Sequence, residues 1–130
     1  MNYVQMKIIN VLFLVAGTLL FGQDNEKTLI AKSLDEWHAA AGSADFKTYF
    51  DLMTNDAVFI GTDATENWQR QEFMDYAKPH FDKGKAWNFT AVERNIYVGD
   101  STNFVWFDEL LDTQMKICRG SGVLKKVNGK

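Results

Sequence analysis

The chain is short of the residues that usually advertise chemistry. It has one cysteine, Cys118, so an internal disulfide is excluded. With two well-separated histidines, His38 and His80, no metal-ligand spacing arises, and no cofactor is expected, because phosphate loops, dinucleotide fingerprints and nucleophile elbows are all missing. A net charge of −3 with no basic cluster argues against a nucleic-acid partner. Proline occurs once, at Pro79, and repeats, linkers and low-complexity tracts are absent. What remains suits one packed domain: 130 residues, 46% hydrophobic and 14% aromatic.

The first residues read differently from the rest. MNYVQMK carries Lys7 and no acid, and IINVLFLVAGTLLF follows as fourteen mostly apolar residues. A membrane span needs roughly 20. The pattern is that of a secretory signal peptide over residues 1–23, cut near Gly22/Gln23, although no A-x-A site is present. No cysteine follows to carry a lipid anchor. The protein is therefore expected to be exported, periplasmic or secreted, and to meet a membrane only if this segment stays uncleaved. On a strand pattern Cys118 reads as a small buried hydrophobe.

Residues 24–130 read as helices followed by strands, an α+β order. Asp24 to Ala41 has Ile30, Leu34, Trp37 and Ala41 on one helical face, with Asp24 and Glu26 at the expected N-terminal end. Ser43 or Asp45 is placed to cap a second helix carrying Phe46, Tyr49, Phe50 and Met53. AVFIG at 57–61 is a short strand. A third helix is expected over 66–77, ended by Pro79. Three alternating stretches follow, at 87–98, 104–113 and 116–127. The first has Trp87, Phe89 and Ala91 on one parity and Val92, Ile96 and Val98 on the other. Gly120 and Gly122 within the third suggest a bulge or strong coiling. Asn128-Gly129 is a hairpin signal. A returning strand would follow it, so the last strand is expected to be missing or supplied elsewhere.

Three segments carry a resemblance. FIGTDATENW at 59–68 is similar to the F-x-G-T-D-x-x-E-x-W segment of SnoaL-like domains, within the nuclear transport factor 2-like superfamily. WFDELLDT at 106–113 resembles their W-F-D-E strand, and RGSGVLKKVNGK at 119–130 their R-G-x-G-V-L-x-K-x-x-G stretch. The resemblance implies a cone-shaped α+β barrel, N-terminal helices packed on a curved antiparallel sheet around a pocket, and often a homodimer through the sheet. Relatives include isomerases, dehydratases, cyclases and hydrolases, and also binding and kinase-association modules, so the fold alone assigns no reaction.

Within that expected cone, Asp63 stands at the pocket mouth as a candidate general base, or as a helix cap at a capping-box spacing from Glu66. His38 is a candidate acid, base or hydrogen-bond donor, or a buried structural histidine. Asp108 shares a strand parity with Phe104, Trp106 and Leu110. If that parity faces the cone, Asp108 is an acid on an apolar wall; if reversed, Glu109 takes its place. Arg119 is a partner for either acid or an anchor for an anionic ligand. Trp37, Trp68 and Trp106 are candidate ligand walls, or core, as is Trp87. The sequence thus points to a domain that binds a small apolar or weakly anionic molecule. The alternatives are a cofactor-independent isomerase, dehydratase or hydrolase, with Asp63, His38 and Asp108 moving protons, or an assembly domain.

Overall fold

The computed structural model describes the backbone of residues 3–99 and 103–130, and side chains from residue 24 onward within those limits. Helix α1 (Tyr3–Gly42) is continuous. Asp24 and Glu26 therefore lie inside it rather than at its start, because no proline or capping sequence interrupts the segment before them. The export reading concerns residues 1–23, whose side chains lie outside those described. Among the described residues, no helix is long and apolar enough to cross a membrane.

After α1 the chain turns through Ala44, whose φ of 58° lies in the left-handed region. Asp45 then caps α2 (Phe46–Asp51): its carboxylate accepts from Thr48 N–H at 3.0 Å and from the Thr48 hydroxyl at 2.7 Å. Strands β1 (Val58–Ile60) and β2 (Asn67–Gln69) form an antiparallel pair. Helix α3 (Arg70–Asp82) begins only after β2, where the Glu72 carboxylate accepts from Gln69 N–H at 2.8 Å. The helix expected over 66–77 thus starts four residues later, since residues 67–69 pair with β1 instead. It also runs through Pro79. A helix-interior proline costs about 3 kcal/mol, but the turn that contains it buries Phe81, which is 4% exposed. Burying a phenylalanine side chain is worth roughly 1.5–3 kcal/mol, enough to offset most of that cost.

The helical core is aromatic. Tyr49, Phe50, Phe73 and Phe81 pack with Ala41 and Ala77, and all are nearly inaccessible. The small alanines on α1 and α3 leave room for the rings, which fill the space between the helices.

Strands β3 (Thr90–Val98), β4 (Phe104–Thr113) and β5 (Lys116–Lys125) form an antiparallel sheet in that order. Register shifts between Ala91 and Glu93, leaving Val92 as an unpaired bulge residue. The bulge reconciles the two apolar parities read in 87–98. Ala91 pairs with the buried Leu111, whereas Ile96 and Val98 pair with the buried Phe107 and Val105. One inserted residue turns both sets to the same face. Val92 itself points out, 63% exposed.

Glycines on β5 make room for large side chains on β4. A Cβ at Gly122 would lie 2.8 Å from the Phe107 ring, and one at Gly120 would lie 3.2 Å from Leu111. Beyond β5, Asn128 and Gly129 have φ of 52° and 79°, and Val127 and Lys130 exchange backbone hydrogen bonds of 2.7 and 3.1 Å. Positive φ at both central residues is what a two-residue primed turn requires. Helices on one side of an antiparallel sheet make this an α+β fold.

Candidate functional site

FIGTDATENW is a β-hairpin. Phe59 and Trp68 face each other across β1 and β2, and both stack on Phe73 of α3. Asp63 sits in the connecting turn, exposed, with its carboxylate accepting from Thr65 N–H at 2.9 Å and from the Thr65 hydroxyl at 2.6 Å. Those two bonds hold it below the ordinary aspartate range. Glu66 folds back over Gly61 and accepts from Asp63 N–H at 3.2 Å. A Cβ at Gly61 would lie 2.8 Å from the Glu66 Cβ as well as against its carboxylate, so the close approach of the two strands favours glycine there. Neither acid caps a helix; both close the hairpin turn. Asp63 is not brought together with His38 or Asp108.

The other expected acid is displaced by one residue. On β4 the inward parity is Val105, Phe107, Glu109 and Leu111, so Glu109 takes the interior position and Asp108 the outer face. Sequence alternation predicts two faces but not which one is buried, because Phe104 and Trp106 make the outer face apolar as well. The glycines were the available cue: Gly120 pairs with Glu109 and Gly122 with Phe107, the side that needs room.

Glu109 is 2% exposed, and both its oxygens are engaged. His38 Nε2 lies 2.7 Å from Oε1, and Arg94 Nε donates to Oε2 at 2.8 Å. An ionised carboxylate only accepts, so Nε2 carries the proton of that bond. Arg94 Nη1 donates in turn to Ala31 O at 2.9 Å and to Asp35 at 2.8 Å. The network ties α1, β3 and β4 together. Burial pushes the Glu109 carboxyl up, but hydrogen bonds from His38 and Arg94 outweigh it and leave it below the usual carboxylate range. Arg94 had no role in the sequence reading. Its signal was a lone arginine on the apolar parity of a strand.

Asp108 instead centres a polar group on the outer sheet face. Arg119 donates to it at 2.7 Å and the Tyr97 hydroxyl at 3.1 Å. Trp106 stacks on Tyr97 with ring centroids 5.8 Å apart and is 49% exposed. Trp106, Asp108 and Arg119 are thus brought together, but away from His38. Of the other tryptophans, Trp37 stacks on Tyr49 at 4.9 Å, its buried indole N–H unpartnered, and Trp68 stacks on Tyr76 at 4.4 Å. Among the described residues, no three His, Cys, Asp or Glu side chains gather as metal ligands would.

A cleft of about 640 Å³ opens elsewhere, between α1, the segment after α2 and the inward side of the sheet. Its apolar floor includes Ile30, Met53, Val105 and Leu124. Its rim carries two ion pairs, Lys126–Glu26 at 2.9 Å and Lys125–Asp56 at 3.3 Å. None of the sequence-nominated site residues lines it. The cleft was missed because its walls come from residues far apart in the chain, each unremarkable alone. A second hollow of about 530 Å³ lies at the other end of the sheet, between Lys85–Asn88 and the β4–β5 turn.

Comparison with solved structures places this arrangement among known folds. A Nostoc punctiforme protein of unknown function with a cystatin-like fold aligns at TM-score 0.61 and 13% identity, over 80% of this chain and 82% of that one. A Xanthomonas campestris structure described as a calcium/calmodulin dependent protein kinase II association domain aligns at 0.56 and 21%, over 78% and 77%. Pgp2, a helical cell shape determining protein of Campylobacter jejuni, aligns at 0.51 and 17%, over 75% of this chain but 36% of that one. At these identities the likeness is one of fold. No curated protein matched. The model of the SnoaL-like domain family matches residues 30–130, from the middle of α1 through β5, and the chain belongs to that family.

Proposed function

We propose that this SnoaL-like domain is an exported protein that binds a small, largely apolar molecule in the cleft between α1 and the sheet. The observation that carries the reading is the cleft's apolar floor, whose residues all fall within the segment that the family model matches. Export is supported by the charged and apolar pattern of residues 1–21. N-terminal sequencing of the secreted product is expected to begin near Gln23, and an intact Met1 would count against it.

Binding is tested by extracting the purified protein and identifying small molecules by mass spectrometry. Leu124→Arg places a long charged side chain on the floor and is expected to abolish co-purification. Retention by this variant would move the site elsewhere, and an empty native protein would remove the reading's support. Proton-transfer catalysis draws less support. His38 and Glu109 do meet, but neither lines the cleft and both Glu109 oxygens are already bonded.

A homodimer through the outer sheet face is supported by Phe104, Trp106 and Val123, which are 52%, 49% and 71% exposed there. Trp106→Asp is expected to weaken dimerisation at least tenfold in sedimentation analysis, since a charge would be buried without a partner. A variant that sediments like the native protein would sink the idea.

A further inference from the structure

The cleft's charges are sorted by wall. The acids Glu26, Asp51 and Asp56 come from α1, α2 and the segment after α2, while Lys125, Lys126 and Lys130 come from the end of β5 and the turn beyond it. Two of these pairs bridge the walls, Lys126 to Glu26 and Lys125 to Asp56, while Asp51 is held by Lys47 on its own helix. The Glu26 side chain is only 20% exposed, so it depends on Lys126 more than a fully solvated acid would.

This layout constrains what can enter. A simple anion that takes Lys126 leaves Glu26 half-buried and unpaired. A simple cation that takes Glu26 releases Lys126, whose side chain is 40% exposed and can turn to water, but leaves the cleft's lysine wall without a counter-charge. A head group bearing both charges re-pairs both walls, each through a charge-assisted hydrogen bond, while its apolar part covers Ile30, Val105 and Leu124. We propose that the cleft binds a zwitterionic amphiphile, its cationic group toward the Glu26 wall and its anionic group toward the Lys126 wall. The proposal rests on the cleft being the binding site, and it narrows the ligand class beyond apolar or weakly anionic.

The test is a series with one octyl tail and four heads: octanoate, octyltrimethylammonium, N-octyl-N,N-dimethylglycine and octyl glucoside. Each is titrated calorimetrically into the native protein below its micelle concentration. The betaine is expected to bind at least about tenfold more tightly than the two singly charged amphiphiles, the size of one good charge-assisted contact, and its advantage should shrink with added salt. In the double variant Glu26→Gln, Lys126→Met the four heads are expected to converge. If octanoate, octyltrimethylammonium or octyl glucoside matches the betaine, the zwitterion proposal falls and the cleft reading stands. If no member binds, or Leu124→Arg leaves binding of all four unchanged, the cleft reading falls with it.

Discussion

Replacing Arg94 with leucine is expected to lower stability at neutral pH by about 3–5 kcal/mol, the usual cost of stranding one member of a buried ion pair. The guanidinium is the hub of three bonds, to Glu109, Asp35 and the Ala31 carbonyl. Its loss leaves an almost fully buried carboxylate facing only His38. The pH dependence gives the mechanism away. In the native protein the folded pKa of Glu109 is depressed, so its contribution is complete above the ordinary value of 4.5 and is lost as pH falls through the lower folded value. In Arg94→Leu one of the two offsetting bonds is gone, so the carboxyl rises from its native value. The variant is then penalised most at neutral pH and relieved as acid protonates Glu109. Urea unfolding at about pH 7 and about pH 4 should show the deficit narrowing. Adding Glu109→Gln should recover part of the loss. A deficit independent of pH would show that Arg94 acts through packing alone.

Phe73→Ala is expected to cost a similar amount, about 3–5 kcal/mol, for a different reason. Phe73 is 1% exposed and stands where the helices meet the β1–β2 hairpin. Its ring stacks on Phe59 at 3.8 Å and Trp68 at 5.7 Å, and meets Phe50 edge-on at 5.5 Å. Removing it opens a cavity and unseats the hairpin, whose packing runs through α3. Trp68 fluorescence should therefore shift to the red in the folded variant, alongside the lower denaturation midpoint. Tyr76, also stacked on Trp68 but 47% exposed, provides the contrast: Tyr76→Ala should cost under about 1 kcal/mol. Equal losses for the two would refute the assignment of Phe73 as the anchor.

Both results bear on what could be read in advance. The aromatic core was legible, because Tyr49, Phe50 and Phe73 fall on helical faces that periodicity exposes. The family was legible too, through FIGTDATENW and the glycine-rich β5. The site was not. Adjacent acids at 108 and 109 occupy opposite faces of one strand, and with aromatics on both parities the pattern is symmetric until packing against α1 breaks the tie. The second strand of the hairpin, Asn67–Gln69, reads as a helix start because Asp63 and Glu66 suit either role. The actual start, Gln69 to Glu72, carries the capping spacing six residues further on. Pro79 misled for the opposite reason, since a local rule gave way to the burial of Phe81.

The Lys126–Glu26 contact joins residues one hundred positions apart. The aromatic cluster spans a shorter stretch, and the sheet grows by consecutive hairpins, so both can form early and locally during synthesis. The cleft cannot. Its helical wall is made first and must wait, with Ile30 uncovered, until the end of β5 leaves the ribosome. Long loop closure is entropically costly and comes late in folding. The cleft therefore forms later than the aromatic cluster, and until β5 docks, Ile30 is an uncovered apolar residue on an unfinished fold.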